Sequence, residues 1–293
     1  MKLNKTKKTK NRLLIIDGEI VCYQAVTNQA FMTEIHTKQQ EYYHMLNMKD
    51  LVTDVAKRME ELVALLKAKE VIVVFGGKGN FRKEVLPTYK SNRKPYKPLG
   101  YGKAKEWMES NYPTVAHPGL EADDVMGILH TTPSLVSNME TVMVSIDKDM
   151  RQIPGLLYDQ GKGLAKPELV TPQEAFAWTM AQAISGDAID GYHGIPGYGP
   201  VKARGVVEKA VKECGYDAEA VFLKHIVPLY VANGFTEREA LQQAQVSRIC
   251  RAEDMEVDKA GHWTHLLWGK DLLTHNTKQG FKKLLKKKIR MRK

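Results

Sequence analysis

Leu13-Leu14-Ile15-Ile16-Asp17-Gly18 is an apolar run that stops on a carboxylate and a glycine. Its length suits a buried strand, which places Asp17 at the carboxyl edge of a sheet, where α/β proteins gather ligands. The stretches 71–75, 141–146 and 155–158 are runs of the same kind, short, apolar and mostly rich in β-branched residues. Between the first two strands, residues 48–69 repeat Leu51, Val55, Met59, Leu62, Val63 and Leu66 at helical spacing, with Asn47 as the N-cap. Strands alternating with helices predict an α/β fold with a mostly parallel sheet and flanking helices. From Thr171-Pro172 onward the pattern changes, and 172–185, 201–213, 218–232 and 236–251 all read as helices separated by Gly-rich or polar breaks. The organisation expected is a basic extension over 1–12, a sheet domain over 13–170, a helical domain over 171–260 and a basic tail over 261–293.

The chain has 293 residues, 43% of them hydrophobic, enough for one large core or two moderate ones. A formal charge of +10 favours a polyanionic partner over an acidic or neutral one, with a merely solvated basic surface as the alternative. Cys22, Cys214 and Cys250 are widely separated and form no CxxC pair, which excludes a disulfide framework and a zinc ribbon and fits a reducing compartment. The apolar run after the basic start is too short for a signal peptide or a membrane span, so a cytosolic chain with no membrane partner is expected.

Against this basic background stand four acidic clusters: Asp17; Glu121, Asp123 and Asp124; Asp147 and Asp149; Asp187 and Asp190. Each has an ordinary explanation as a turn or a helix cap. Asp187 and Asp190 follow a helix end, where the dipole disfavours anions, so a compensating cation is expected there. Taken together beside strand ends, these carboxylates predict a site for two hard divalent cations, magnesium or manganese, since oxygen-only ligand sets suit those ions.

Two basic features complete the pattern. Residues 81–94 carry Arg82, Lys83, Lys90, Arg93 and Lys94 with interleaved aromatics, and Pro87, Pro95, Pro98, Gly100 and Gly102 argue against a packed element up to Gly102. A loop over an active-site mouth is expected, its cations on phosphates and Tyr89 or Tyr96 stacked on a base, a plain surface loop being the alternative. Gly194-Ile195-Pro196-Gly197-Tyr198-Gly199-Pro200-Val201-Lys202 has closely spaced glycines before a helix, which lets backbone amides approach a phosphate. It fits a hairpin between helices that holds a duplex backbone without reading bases. Gly76-Gly77-Lys78-Gly79 lacks the Ser or Thr of a nucleotide P-loop.

In order and type, Ile-Asp17-Gly, Phe-Arg-Lys with Tyr-Lys90-Ser-Asn-Arg93, Glu-Ala-Asp-Asp, Ser-Ile-Asp-Lys-Asp, Gly-Asp-Ala-Ile-Asp-Gly and Gly-Ile-Pro-Gly-Tyr-Gly resemble the 5′ nuclease (flap endonuclease) family, most closely its phage 5′→3′ exonucleases. The resemblance spans roughly residues 13–251. It implies a PIN-like sheet domain with a basic arch or clamp over about 81–112, followed by a helix–three-turn–helix motif on duplex DNA. It assigns Asp17, Glu121 and Asp123, with Asp124 beside them, to a first metal, and Asp147, Asp149, Asp187 and Asp190 to a second. It makes Lys90 and Arg93 the catalytic contacts to the scissile phosphate. Arg82, Tyr89, Gly194, Ile195, Gly197, Gly199 and Lys202 become DNA contacts, with a monovalent cation at the glycine hairpin as a further cofactor. One position departs from the family: an Asp usually follows the second strand, and Gly77 is matched to it, so that Gly77→Asp is expected to lower the metal requirement.

The reading that results is a magnesium-dependent 5′→3′ exonuclease on duplex DNA, extending to flap cutting and to RNA primers in RNA–DNA hybrid, and acting as a monomer in the cytoplasm, that of the host if phage-encoded. Two divalent ions about 4 Å apart would assist in-line attack at phosphorus. The rivals are a non-catalytic or impaired structure-specific DNA-binding protein, which the missing Asp permits, and a PIN-type ribonuclease, which the helical glycine hairpin disfavours.

Overall fold

The computed structural model describes residues 11–29, 31–35, 41–45, 47–93, 97–132 and 139–255. The basic tail and most of the basic N-terminal extension lie outside the described residues, as does Tyr96. Asn11 and Arg12 are not extension but the first residues of β1 (Asn11–Asp17), where Arg12 donates to the Glu140 carboxylate at 2.8 Å through Nε and to the Leu66 carbonyl at 2.7 Å.

Six strands form one sheet in the order β5-β4-β1-β6-β7-β8. They are β1, β4 (Glu70–Val74), β5 (Thr114–Val115), β6 (Met139–Ser145), β7 (Gly155–Asp159) and β8 (Glu168–Val170). All neighbouring pairs are parallel except β7 with β8. The mostly parallel sheet expected from the alternation of strands and helices is therefore present. A separate antiparallel hairpin, β2 (Phe31–Ile35) with β3 (Glu41–Met45), was not anticipated.

β1 is central, with Ile15 opposite Ile72 on one side and Met143 on the other. Its apolar run serves two cores because successive side chains point to opposite faces. Leu13 and Ile15 pack with Ile72, Val74 and Met143 against α5 (Ala122–Thr131). Leu14 and Ile16 pack with Val71, Val73, Val142 and Val144 against α1 (Gly18–Gln29), α2 (Met48–Leu65) and α4 (Tyr101–Asn111). Asn47 caps α2 as expected, its Oδ1 accepting the Lys49 amide at 3.0 Å.

The segment expected to form a loop or arch is anchored by buried residues at its two ends, while the described residues 86–93 and 97–100 between them form turns and no helix or strand. Phe81, Arg82 and Tyr89 are buried around the short helix α3 (Arg82–Val85), and α4 buries Tyr101, Ala104 and Met108 on α1 and α2.

Beyond β8 the chain is helical, with α6 (Pro172–Ser185), α7 (Pro200–Cys214), α8 (Ala218–Val221), a π-helical turn (Phe222–Ile226), α9 (Val227–Ala232) and α10 (Glu237–Ser247). Thr171 and Glu174 form a capping box at the start of α6, with Pro172 in its first turn, as the Thr-Pro sequence predicts. Met180, Ile184, Ile195, Val207, Phe222, Ile226 and Tyr230 build a core within these helices.

Candidate active site

Chain order places β4 on one side of β1 and β6 on the other, so the crevice outside their carboxyl ends is a topological switch point. Asp17 is the last residue of β1, and Asp147 follows β6 by two positions. Asp17 Oδ1 accepts the amides of Glu19 at 3.0 Å and Ile20 at 3.2 Å, while Ser145 Oγ lies 3.4 Å from its other oxygen. Burial pushes the Asp17 carboxyl up to about 7 despite these amides, and the charges of Glu19 and Asp147 add to the rise. Asp123, in the first turn of α5, is raised as well, by burial and by the fields of Asp147 and Asp17. Three elements thus aim mutually repelling carboxylates at one crevice.

Asp147 caps a 3-10 turn (Lys148–Gln152), its Oδ1 accepting the Asp149 amide at 2.8 Å. Asp149 Oδ2 accepts from Gln182 Nε2 at 2.7 Å, whereas its Oδ1 is buried with no hydrogen-bond partner. Burial and Asp147 raise this carboxyl to about 6. Gln182 also sits 2.9 Å from the Tyr192 hydroxyl. Its role in orienting Asp149 went unread because an amide inside a helical stretch carries no sequence signal.

Lys90 ties the remaining acids together, its Nζ lying 2.5 Å from Glu121 and 3.5 Å from Asp190. Arg93 pairs with Asp190, and the Tyr89 hydroxyl donates to Glu121 at 2.8 Å. Burial opposes ionisation of Glu121, but Arg82 and Lys90 outweigh it and hold the carboxyl below its ordinary value. Asp187 Oδ1 accepts the amide of Ile189 at 2.8 Å, and its Oδ2 lies 3.3 Å from Lys148. The compensation expected for an anion after a helix end therefore comes from loop amides and a lysine of this chain.

The expected site residues divide accordingly. Asp17, Asp123 and Asp147 lie within one another's fields and Asp149 lies beside Asp147 and Asp187, whereas Asp190 turns to Lys90, Arg93 and Tyr89 rather than joining Asp149. Asp124 is not available as a ligand. It is fully buried, binds both arms of Arg82 at 2.7 Å and accepts the amides of Cys250 at 3.0 Å and Glu121 at 3.1 Å, which uses up its lone pairs. Arg82 is correspondingly a core residue and not a DNA contact, donating also to the carbonyls of Val246 and Arg248. Tyr89 is buried and stacks on Tyr192 with ring centroids 6.2 Å apart, so it is not free to stack on a base.

In the glycine hairpin, the Ile195 side chain is in the helical core and its amide donates to the Ile184 carbonyl at 2.8 Å. The Gly194 amide donates to Gln243 at 2.9 Å, and a Cβ there would stand 2.3 Å from the Ile184 carbonyl oxygen. These two residues shape the hairpin and offer no amide to a ligand. Gly197 and Gly199 are exposed with open space around them, and exposed Lys202 lies over the Tyr198 ring at 3.6 Å.

Gly77 does not fill the place of the missing carboxylate. A Cβ at Gly77 would fall 1.8 Å from the His117 carbonyl oxygen and 2.4 Å from its carbon, so this backbone approach admits glycine alone. The position that opens on the crevice is Gly76, where a Cβ would meet only the Glu19 carboxylate at 3.1 Å and the Ala122 amide at 3.7 Å. The expectation that Gly77→Asp eases metal binding is therefore overturned on steric grounds.

Among the described residues no three His, Cys, Asp or Glu side chains stand close enough to cage an ion as they are. Lys90, Arg93 and Lys148 occupy the outer carboxylates instead. The donor set is nonetheless all oxygen, with a buried Asp149 oxygen that has no partner, and these residues fit a hard divalent cation.

The model of the N-terminal resolvase-like domain of 5′-3′ exonucleases matches residues 12–170. An exodeoxyribonuclease of Enterobacteria phage T3 is 30% identical, with 86% of this chain and 92% of the relative covered. An exonuclease of Escherichia phage T7 is 27% identical over 84% of this chain and 91% of its own. Among solved structures, a phage T5 protein co-crystallised with metal ions superposes with a TM-score of 0.61 at 17% identity, covering 81% of this chain and 89% of that one. With a family model spanning more than half of its length and a phage relative matched nearly end to end, this chain belongs to the 5′-3′ exonuclease family.

Proposed function

We propose that the chain is a metal-dependent 5′→3′ exonuclease acting on duplex DNA, with flap cutting as a second mode. The observation that carries this reading is the meeting of Asp17, Asp123, Asp147 and Asp149 at the switch point with Lys90 and Arg93 across the same cleft. Relatives named exonuclease and flap endonuclease support it.

Divalent ions held by these carboxylates would activate water and stabilise charge on the phosphate oxygens. The chain's own part is electrostatic. Lys90 and Arg93, now paired with Glu121 and Asp190, would turn to a phosphodiester entering the cleft and stabilise its developing charge. Gln182 holds one Asp149 oxygen and leaves the other, which is buried, without a partner. Exposed Gly197 and Gly199 before α7, with Lys202 in its first turn, suit a duplex backbone gripped without base contacts, as in a helix–three-turn–helix motif. Since such a grip does not read bases, RNA paired to DNA falls within the same substrate class.

Duplex DNA labelled at the 5′ end, incubated with magnesium, tests the reading. The wild-type chain releases labelled nucleotides or short oligonucleotides, and Asp147→Asn, which keeps the cap on the Asp149 amide, does not. Tight DNA binding with no cleavage by either protein would sink the enzymatic reading in favour of a binding module.

A further inference from the structure

The turn after β4, Gly76-Gly77-Lys78-Gly79-Asn80, matches no nucleotide loop, yet it is pinned on both sides. The Gly77 amide donates to the Leu120 carbonyl at 3.0 Å, the Lys78 carbonyl accepts the Gly119 amide at 2.9 Å, and the Phe81 amide donates to the Gly119 carbonyl at 3.0 Å. Asn80 Oδ1 closes the turn on the Arg82 amide at 3.0 Å. Between these ties, the amides of Gly79 and Asn80 donate to no group among the described residues. Gly79 has a φ of +79°, and a Cβ there would meet nothing within 4 Å. A pinned turn with a left-handed residue and unpaired amides is a cradle for an anion.

The charges around the turn favour the same ligand. Gly79, Asn80 and exposed Lys83 line one cavity of about 370 Å³ with Lys90 and Arg93. Its two carboxylates are both engaged, Glu121 by Lys90 Nζ at 2.5 Å and Glu19 by Lys97 Nζ at 3.3 Å. Lys83 pairs with no carboxylate among the described residues. A cavity of this size takes a phosphate with part of its nucleotide, not a duplex. Ion pairs also fix its place in the cleft: Asp190 of the loop after α6 meets Lys90, Lys90 meets Glu121, and Glu121 borders the turn. With a duplex gripped at Gly197, Gly199 and Lys202 on the helical side, the far end of this series lies where a strand leaves the scissile phosphate on its 5′ side.

We propose that Lys83 and the amides of Gly79 and Asn80 form a second phosphate subsite, which takes the phosphate one nucleotide to the 5′ side of the scissile one. At a duplex end cut after its first nucleotide, this group is the terminal phosphomonoester; in a flap it is an internal diester. The inference rests on the nuclease reading and concerns where the departing strand is held. Lys83 is then a positioning residue that does not touch the reacting atoms.

Initial rates of the full-length protein with magnesium test this in two arms, once the cut has been mapped. One arm compares 5′-phosphorylated with 5′-hydroxyl duplex. The other compares a flapped duplex with the same DNA carrying a neutral methylphosphonate one linkage to the 5′ side of the cut. Lys83→Ala, at an exposed position, and Lys83→Arg, which keeps the charge, are measured on all four DNAs. Removing the phosphate charge is expected to lower wild-type kcat/KM about 5-fold through KM, the upper end for an exposed ion pair. Lys83→Ala is expected to lose the same factor on the charged DNA and nothing further when the phosphate charge is also removed, while Lys83→Arg follows wild type. Such coupling in either arm supports the subsite, and the arm that shows it identifies the terminal or the internal phosphate as its ligand. Losses that multiply in both arms, or a Lys83→Ala that cleaves all four DNAs like wild type, would overturn the subsite and leave the nuclease reading standing. A wild-type chain that cleaves none of them would instead remove the reading itself.

Discussion

Arg82 and Asp124 meet in a two-armed ion pair, both contacts at 2.7 Å, with side chains 3% and 0% exposed. The pair joins α3, which precedes the Lys90–Arg93 turn, to α5, which carries Asp123, and the Arg248 and Val246 carbonyls tie the end of α10 to the same guanidinium. The cations and carboxylates of the cleft are thus positioned by a buried ion pair. Arg82→Ala strands Asp124 in the core and is expected to lower unfolding stability by about 3–5 kcal/mol. Arg82→Lys should recover little of that, since an ammonium cannot span both carboxylate oxygens and both carbonyls. Urea titration followed by circular dichroism reads both values. A loss confined to DNA affinity would contradict the buried role.

Gly77 and Gly76 are adjacent but differ in what surrounds them. Gly77→Ala drives a methyl into the His117 backbone and is expected to cost at least the ~1–3 kcal/mol of an overpacked core. Gly76→Ala meets the end of a flexible glutamate and should change the urea midpoint far less. Equal losses in the two variants would show that the chain near His117 yields easily.

The strands at 13–16, 71–75, 141–146 and 155–158 were legible in the sequence because a strand covered on both faces must be apolar throughout, and few other structures require that. β5 and β8 were not, because two or three residues carry no periodicity. Asp123 and Asp124 show where composition stops being informative for a site. Successive helix positions turn by about 100°, so one of two adjacent aspartates faces the cleft while the other faces the core. The available signal was the spacing Glu121 to Asp124, which the structure uses as a capping box.

His130 gives the fold an acid limit. Burial lowers its pKa to about 4, against a hydrogen bond to the Pro154 carbonyl that favours the proton, and its Nδ1 has no partner. In the unfolded chain the imidazole titrates near 6.5. Between these values the unfolded state takes up a proton that the folded state refuses, so this contribution is present above the unfolded pKa and lost as pH falls towards the folded one. The slope approaches ~1.4 kcal/mol per pH unit within that window. His130→Leu lacks the proton site. The stability difference between it and wild type should therefore shift in the variant's favour from pH 7 to pH 5, and a pH-independent difference would count against the assignment.

Lys90 combines a strained backbone with a charge in the cleft, and the two separate by mutation. Its φ is +51°, a left-handed conformation that costs a residue with a Cβ roughly 1–2 kcal/mol. The strain is held by its amide, which donates to the Asp190 carbonyl at 2.7 Å and fixes the turn against the loop after α6. Lys90→Ala and Lys90→Gly both remove the ammonium from Glu121 and Asp190, but only glycine relaxes the backbone. Both variants are expected to lose cleavage by about 10²–10³-fold, the scale of removing one donor from a transition-state charge. Lys90→Gly should be the more stable of the two by about 1 kcal/mol, since glycine accepts positive φ readily. Cleavage that survived in the glycine variant alone would mean that the shape of the turn, and not the ammonium, is what the reaction needs from this residue.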